Sequence, residues 1–401
     1  MLLRNKGEHR LRVLTAGGEL ELSRRYFWAK GEGGEFPADA VLGVGEGAVS
    51  AGALEILCRM GMVQDFEQAR DDARRIGGVA VSEERLRQLV EAEAKTLTEA
   101  RQAGAVPAAW SATDADVAAA GPVYAGADGV MAPTVTAAEK DKRRKAHAVR
   151  RQQRSAAGVG NAKDLPPARP GSDEKYKEMK IGVFYDQDKV HRHVFATEGK
   201  SDCFAPLLET YAAQIGFQKA PRQVSLTDGA RWIITQLCLA FTTLSAMLLD
   251  FYHLSQHVHA TAKCCLGETA AATQWASARL AEMKEQGIAG VSSLLAAIDA
   301  LSKRFRSPAK LKSLRLLRDY VVERMEMLDY RTALANGWDI GSGPTEATCK
   351  TLTLRLKRPG MKWDADHAAG MMNLIALYES GQSKTYWAFR AAHPGGYRAA
   401  A

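Results

Sequence analysis

Hydrophobic and polar positions change period several times along the chain, and each change marks an element. Leu11 to Thr15 and Leu20 to Trp28 are extended runs around Ala16-Gly17-Gly18, which predicts a β-hairpin. A Gly/Glu-rich linker, Gly31 to Glu35, follows. Ser50 to Met62 has helical spacing, and Phe66, Ala69, Ala73 and Ile76 form one apolar stripe that stops at Gly77-Gly78. Ser82-Glu83-Glu84 then caps a second helix carrying Leu86, Leu89 and Val90. Helix, glycine turn and serine-capped helix make a helix-turn-helix outline, with Arg85 and Arg87 early in the second member, where base edges are read. An αα-hairpin used only for packing has the same outline. From Ala100 to Ala120 the Ala/Asp-rich sequence reads as a linker or a frayed helix end.

The period then shortens. Val123 to Pro133 predicts a strand carrying Asp128, with Gly129 directly after it. Met179 to Tyr185 and Val190 to Ala196 predict an antiparallel hairpin, on which His191 and His193 alternate onto one face. Lacking a third ligand nearby, that face is expected to be an exposed strand face and not a metal site. A helix over Phe204 to Ile215 leads to a strand from Gln223 that ends in Asp228-Gly229. Trp232 to Leu249 has no charged residue and approaches the length of a membrane span. Its Thr, Gln and Ser residues, bracketed by Asp228, Arg231 and Asp250, instead predict a buried helix to about Phe241 and a buried strand over Ala246 to Leu249.

Strand with Asp128, two antiparallel strands, helix, strand with Asp228: this is the order of an α/β, RNase H-like mixed sheet, whose first and fourth strands lie side by side. The two aspartates would then face one another. Glu268 to Ala335 is amphipathic and helical, with Leu311, Leu314, Leu317, Val321, Met325 and Leu328 at core spacing between Lys310, Lys312, Arg315 and Arg318. It reads as an insertion. After it, Trp338 to Lys350 holds a tight turn, Gly341-Ser342-Gly343, with Pro344 where a first helical residue tolerates it. A helix is predicted over Thr345 to Lys357, with Glu346 in its first turn and Lys350, Thr353 and Lys357 along the same face. A last helix covers His367 to Tyr378, and the end after Trp387 is expected to fray.

Converging carboxylates suit divalent-metal phosphoryl transfer, in which a pair of ions serves the attacking and leaving oxygens. Asp128, Asp228 and Glu346 are the candidates, with two Mg²⁺ ions and Mn²⁺ as a substitute. His253 and His257 have an i, i+4 zinc spacing, but the Glu of a metalloprotease helix is absent beside them. The net charge of +8 and pI near 9.1 favour a polyanionic partner. Lys140 to Arg154 holds eight Lys or Arg against one Asp and runs into a Gly/Pro/Ala-rich stretch, Gly158 to Asp173. This reads as a basic mobile arm in which Lys142, Arg143, Arg144, Lys145, Arg150 and Arg151 track phosphates. Lys350, Lys357 and Arg358 are expected to do the same beside Glu346. Six cysteines without a disulfide framework fit a reducing cytosol. Met1 to Lys6 is followed by no apolar core of signal-peptide length, so no leader and no membrane anchor are expected.

Three blocks carry a family likeness: Thr227-Asp228-Gly229-Ala230-Arg231-Trp232-Ile233, Leu249-Asp250-Phe251-Tyr252-His253, and Gly341-Ser342-Gly343-Pro344-Thr345-Glu346 through Lys350 to Arg358-Pro359-Gly360-Met361-Lys362-Trp363. In order and spacing they resemble the ISKra family of bacterial insertion-sequence transposases, from about Leu11 to Leu377. The resemblance implies a DDE transposase with an RNase H-like core interrupted by the helical insertion. It implies Asp128, Asp228 and Glu346 as catalytic triad and metal ligands, with Asp250 and His253, a D-x-x-H element, in support. Transposon-end and target DNA are the implied partners, bound by a homo-oligomer in the bacterial cytoplasm at the nucleoid. One departure is plain: relatives carry a cysteine-based zinc ribbon where this chain reads Arg24 to Pro37 without cysteine, so no zinc is expected there. Two alternatives stay open, a decayed or domesticated copy that only binds DNA, and an RNase H-like nuclease that cuts without joining.

The expected organisation is a hairpin segment over 1–49, a helix-turn-helix-like region over 50–105 and the first part of the core over 120–267. The helical insertion occupies 268–337, the closing helices of the core 338–380, and a flexible tail 381–401.

Overall fold

The computed structural model describes residues 3–31, 33–42, 44, 48–159 and 169–393. The fold is mixed α/β, with two sheets. The smaller pairs β1 (Arg4–Thr15) with β2 (Gly18–Ala29), and β3 (Gly33–Glu35) adds to the other edge of β2. In the stretch compared above with a zinc ribbon, Arg24 pairs with Asp39 and its guanidinium lies 3.7 Å from the Phe36 ring centroid. Tyr26 packs on Phe36 at 4.8 Å, so a cation, a carboxylate and two rings hold this corner.

Four helices follow: α1 (Pro37–Leu42), α2 (Ala51–Val63), α3 (Phe66–Arg75) and α4 (Glu83–Gln102). Ser50, Asp65 and Ser82 cap the last three by accepting from backbone N–H groups three residues on. The turn between α3 and α4 is where the glycines predict it, but Ile76, counted with the buried stripe, is exposed. α4 continues through Arg101, into the stretch read as a linker or a frayed helix end, and it is not frayed there. Arg101 is fully buried and donates to Gln382 Oε1 (3.0 Å) and the Val194 carbonyl (2.8 Å). These bonds to distant segments, not local propensity, hold the end of α4 in place.

After α5 (Ala115–Ala120) come β4 (Val123–Pro133), α6 (Ala137–Ala156), β5 (Tyr176–Tyr185), β6 (Arg192–Thr197), α7 (Phe204–Ile215), β7 (Gln223–Thr227), α8 (Arg231–Ala240) and β8 (Ala246–Leu249). The strand order is β6-β5-β4-β7-β8, antiparallel from β6 to β4 and parallel from β4 to β8. The uncharged stretch is thus helix and strand, and among the described residues no helix is long and apolar enough to cross a membrane. Alternation along the strands gives the sheet two buried faces. Val123, Ala125, Ala127, Phe184 and Phe195 face α7 and α8. Tyr124, Ile181, Val183, Val224 and Leu226 share one core with apolar residues of α2, α3 and α4.

Two expectations fail here for physical reasons. The basic run is α6, not a mobile arm, although residues 160–168 of the stretch after it lie outside the described residues. Thr136 and Glu139 form a capping box at its start, and Lys140 pairs with Asp364 at 2.7 Å while Lys362 pairs with Glu139. Beyond that base the helix has no buried residue, which is why hydrophobic periodicity gave no sign of it. Nor is the histidine face exposed. His193 is fully buried and bonds Gln214 Oε1 at 3.0 Å, and burial pulls its pKa down to about 3. His191 leans outward and bonds Asp186 at 3.0 Å.

The second half is helical: α9 (Phe251–Leu266), α10 (Ala270–Gln286), α11 (Ile288–Arg304), α12 (Pro308–Glu323), α13 (Tyr330–Ala335), α14 (Gly343–Leu354), α15 (Ala365–Glu379) and α16 (Ser383–Ala392). α16 falls in the segment expected to be a flexible tail. The Tyr386 hydroxyl donates to Glu93 Oε1 at 2.7 Å and Arg390 pairs with the same carboxylate at 2.9 Å, which docks α16 on α4. Residues 394–401 lie outside the described residues.

Candidate active site

The parallel ladder between β4 and β7 sets the site. Its partners are Val123 with Gln223 through Gly126 with Leu226. Two residues beyond the last pair, Asp128 is still in β4 while Asp228 directly follows the end of β7. Asp128, four residues on from Tyr124 in β4, lies on the face that Tyr124, Val224 and Leu226 share, and Asp228 is near enough for its charge to act on it.

α14 packs across this face. Gly126 makes that possible: a Cβ there would overlap Thr345 Oγ1. The helix therefore lies almost on the strand, and Glu346 in its first turn is brought toward the aspartates. The dipole of α14 favours a carboxylate at that position. The helix stops at Leu354, short of the predicted Lys357, because Arg355 turns inward. Its Nε donates to the Gly61 carbonyl at 2.9 Å between the rings of Phe66 and Trp363. Lys350 and Lys357 are exposed, and Arg358 is half-buried.

Electrostatics ties the three acids together. Burial raises the Asp128 carboxyl above its ordinary range, and the charges of Asp228 and Glu346 push it further. The Gly129 N–H, 2.6 Å from Asp128 Oδ1, and the thiol of Cys349 on α14 pull the other way. Burial and Asp128 in turn keep the Cys349 thiol protonated. Asp228 Oδ1 accepts from the Ala230 N–H at 2.8 Å. Among the described residues no Lys or Arg pairs with any of the three carboxylates. A buried carboxyl whose proton affinity is raised by two neighbouring carboxylates, with no basic partner, fits a divalent cation, and oxygen-only donors fit Mg²⁺ or Mn²⁺. Their ligand atoms are not drawn to within 4.8 Å of one another. Among the described residues, the group that meets that spacing is Asp364, Asp366 and His367, where Lys140 and Arg169 already pair with the two aspartates.

Asp250 supports the site as a strut. It is 2% exposed, caps α9 through the His253 N–H at 2.7 Å, and accepts from both the backbone and hydroxyl of Ser342. His253 contributes through its backbone; its ring packs edge-on against His257, which packs on Tyr320 at 4.5 Å. Tyr320 and Arg324, from the insertion, reach the Asp228 turn. No sequence signal pointed to either, or to Cys349.

The expected nucleic-acid contacts sit in contrasting settings. α6 presents Lys142, Arg143, Lys145 and Arg150 as exposed residues, with Arg144 and Arg151 half-buried. Arg87 is held by Glu84 at 2.7 Å and Glu91 at 2.6 Å, and α4 packs along α15. Arg85 is exposed, and its backbone N–H completes the Ser82 cap. Compared with protein-family models and with curated proteins, the chain matches none.

Proposed function

We propose that the chain is a divalent-metal-dependent enzyme that cleaves and joins DNA strands, a transposase with an RNase H-like core and Asp128, Asp228 and Glu346 as its acidic triad. One observation carries the reading: Asp128 on β4 feels the charges of Asp228, directly after the neighbouring parallel strand β7, and of Glu346 on the helix packed across β4. The strand order β6-β5-β4-β7-β8, with two antiparallel and two parallel pairings, supports the RNase H-like assignment.

The cations, when bound, would supply Lewis acidity and charge neutralisation at the phosphate under attack. Asp128 would hold them from the middle of β4, Asp228 from the turn after β7, and Glu346 from the helix. The Ala230 N–H fixes one oxygen of Asp228, and Asp250 fixes the start of the helix that bears Glu346. α6, with seven Lys or Arg and no acid from Lys142 to Arg154, would lie along the phosphates of DNA. Arg85, Lys350, Lys357 and Arg358 are further contacts in this reading, while Arg87 is already committed to two glutamates.

The test is excision and strand transfer in cells with the gene's own flanking DNA as donor ends. Asp128→Asn, Asp228→Asn and Glu346→Gln should each abolish both, with DNA binding retained. Activity that survives any of the three removes that carboxylate from the triad. DNA binding without cleavage by the unaltered chain would make it a binding protein, and cleavage without joining a nuclease.

A further inference from the structure

The helical insertion touches the Asp228 turn through two side chains one helical turn apart. Arg324, directly after α12 and 9% exposed, donates from Nε (2.9 Å) and Nη2 (2.8 Å) to the Gly229 carbonyl. The Tyr320 hydroxyl donates to the Asp228 carbonyl at 3.0 Å. The peptide whose carbonyl Arg324 grips is the same one whose N–H, that of Ala230, holds Asp228 Oδ1 at 2.8 Å. Arg324 and the Asp228 carboxylate are therefore bound to opposite ends of a single rigid plane.

The turn itself is built for this grip. Gly229 has φ +84°, and a Cβ there would meet Leu249 Cδ1 at 2.5 Å and Arg324 Nε at 2.6 Å. The Arg324 guanidinium also lies over the Tyr320 ring at 4.1 Å, so the two side chains brace each other. Its remaining nitrogen bonds the Tyr320 carbonyl at 3.1 Å and Glu323 at 3.3 Å. A buried cation spread over backbone carbonyls is costly to keep, and what it holds here is one peptide beside the acidic cluster.

We propose that Arg324 and Tyr320 are positioning residues: they orient the Asp228 carboxylate, so that the helical insertion sets the divalent-cation affinity of the acidic cluster. The inference rests on the metal-binding reading of Asp128, Asp228 and Glu346. It adds a role for a segment that supplies none of those three carboxylates.

The experiment is Mn²⁺ binding to the full chain by calorimetry, with melting curves in the presence and absence of Mn²⁺. Wild type is compared with Asp228→Asn, Tyr320→Phe, Arg324→Met and Arg324→Lys. Wild type should bind Mn²⁺ and Asp228→Asn should not. Tyr320→Phe, which deletes one hydrogen bond without changing shape, should weaken binding about five-fold. Arg324→Met should weaken it about ten-fold or more and Arg324→Lys should restore part of the loss. The rise in Tm caused by Mn²⁺ should shrink in the same order. A merely structural role would lower the metal-free Tm and leave the affinity alone. That outcome for Tyr320→Phe overturns the inference while the triad stands, and it decides the matter even if Arg324→Met fails to fold. Wild type with no Mn²⁺ binding that Asp228→Asn removes would overturn the triad reading, and the inference with it.

Discussion

Asp250 Oδ2 accepts two hydrogen bonds from Ser342, the backbone N–H at 2.5 Å and the hydroxyl at 2.6 Å. One carboxylate oxygen thus fastens the N-terminus of α14 to the end of β8, and its other oxygen starts α9. Bonds to a buried charged acceptor are among the stronger ones, roughly 1.5–3 kcal/mol each. Asp250→Asn puts an amide where two donors converge or gives up the charge. It should lower stability by about 2 kcal/mol or more, read from urea unfolding. Ser342→Ala keeps the backbone bond and should lose about half as much.

The approach of α14 to β4 depends on Gly126. Gly126→Ala should push the helix off the strand and cost about 1–3 kcal/mol, with the strand cleavage proposed above falling further than stability. Thr345→Ala in the same chain should recover part of the loss, because the nearest clash is with Thr345 Oγ1. Thr345→Ser keeps that oxygen and should rescue nothing.

Asp128 has a pH signature of definite sign. Its carboxyl, raised by burial and by two carboxylates, holds its proton to higher pH in the folded chain than in the unfolded one. The folded state therefore loses stability as pH rises from about 4, the unfolded value, through the raised one. Asp128→Asn should be more stable than wild type at neutral pH without divalent cations. Added Mg²⁺ should raise the Tm of wild type and leave the variant unchanged.

His193 works in the opposite sense. Its folded pKa of about 3 lies below the roughly 6.5 of the unfolded chain. The neutral ring is the folded form, so stability is complete above about pH 6.5 and declines toward pH 3, by at most about 1.4 kcal/mol per unit. His193→Gln should flatten the urea midpoint across that window. An unchanged slope would assign the acid loss to other groups.

α6 offers a test of polyanion binding that leaves the core alone, since none of its residues is buried. Lys142→Gln, Lys145→Gln and Arg150→Gln together should weaken binding to any duplex. They should reduce the slope of log K against log salt by about 0.9 for each phosphate no longer neutralised. Tm should not move.

Much of the sheet was legible. Strands that alternate or run apolar between Asp-Gly and Gly-Pro signals were placed within a few residues, and α7 and β8 match their predicted bounds. The neighbours β4 and β7 also follow the predicted order. What was not legible had no apolar period or no local cause. α6 shows itself only in Thr136-x-x-Glu139, a capping-box signature that its basic run obscured. α16 carries Tyr386, Trp387 and Arg390 inward, but a short helix among Gly and Ala residues looks like a tail. His193 fits an exposed strand face by alternation alone, and only the packing of α7 buries it. The grip of Tyr320 and Arg324 on the Asp228 turn joins segments about ninety residues apart, which no spacing rule reveals.

The shared core on one face of the sheet makes the chain indivisible. Leu57, Leu86 and Val90 from the N-terminal helices, and Val79 between α3 and α4, belong to the same apolar mass as Leu352, Trp363 and Met372 near the other end. Arg355 seals the join by bonding the Gly61 carbonyl. A gene truncated before Glu83 would not yield a smaller folded protein. It would expose the underside of α14 and α15, and with them the helix that carries Glu346. Shuffling of front and back halves between related genes would meet the same barrier, so the two ends of the sequence must change together.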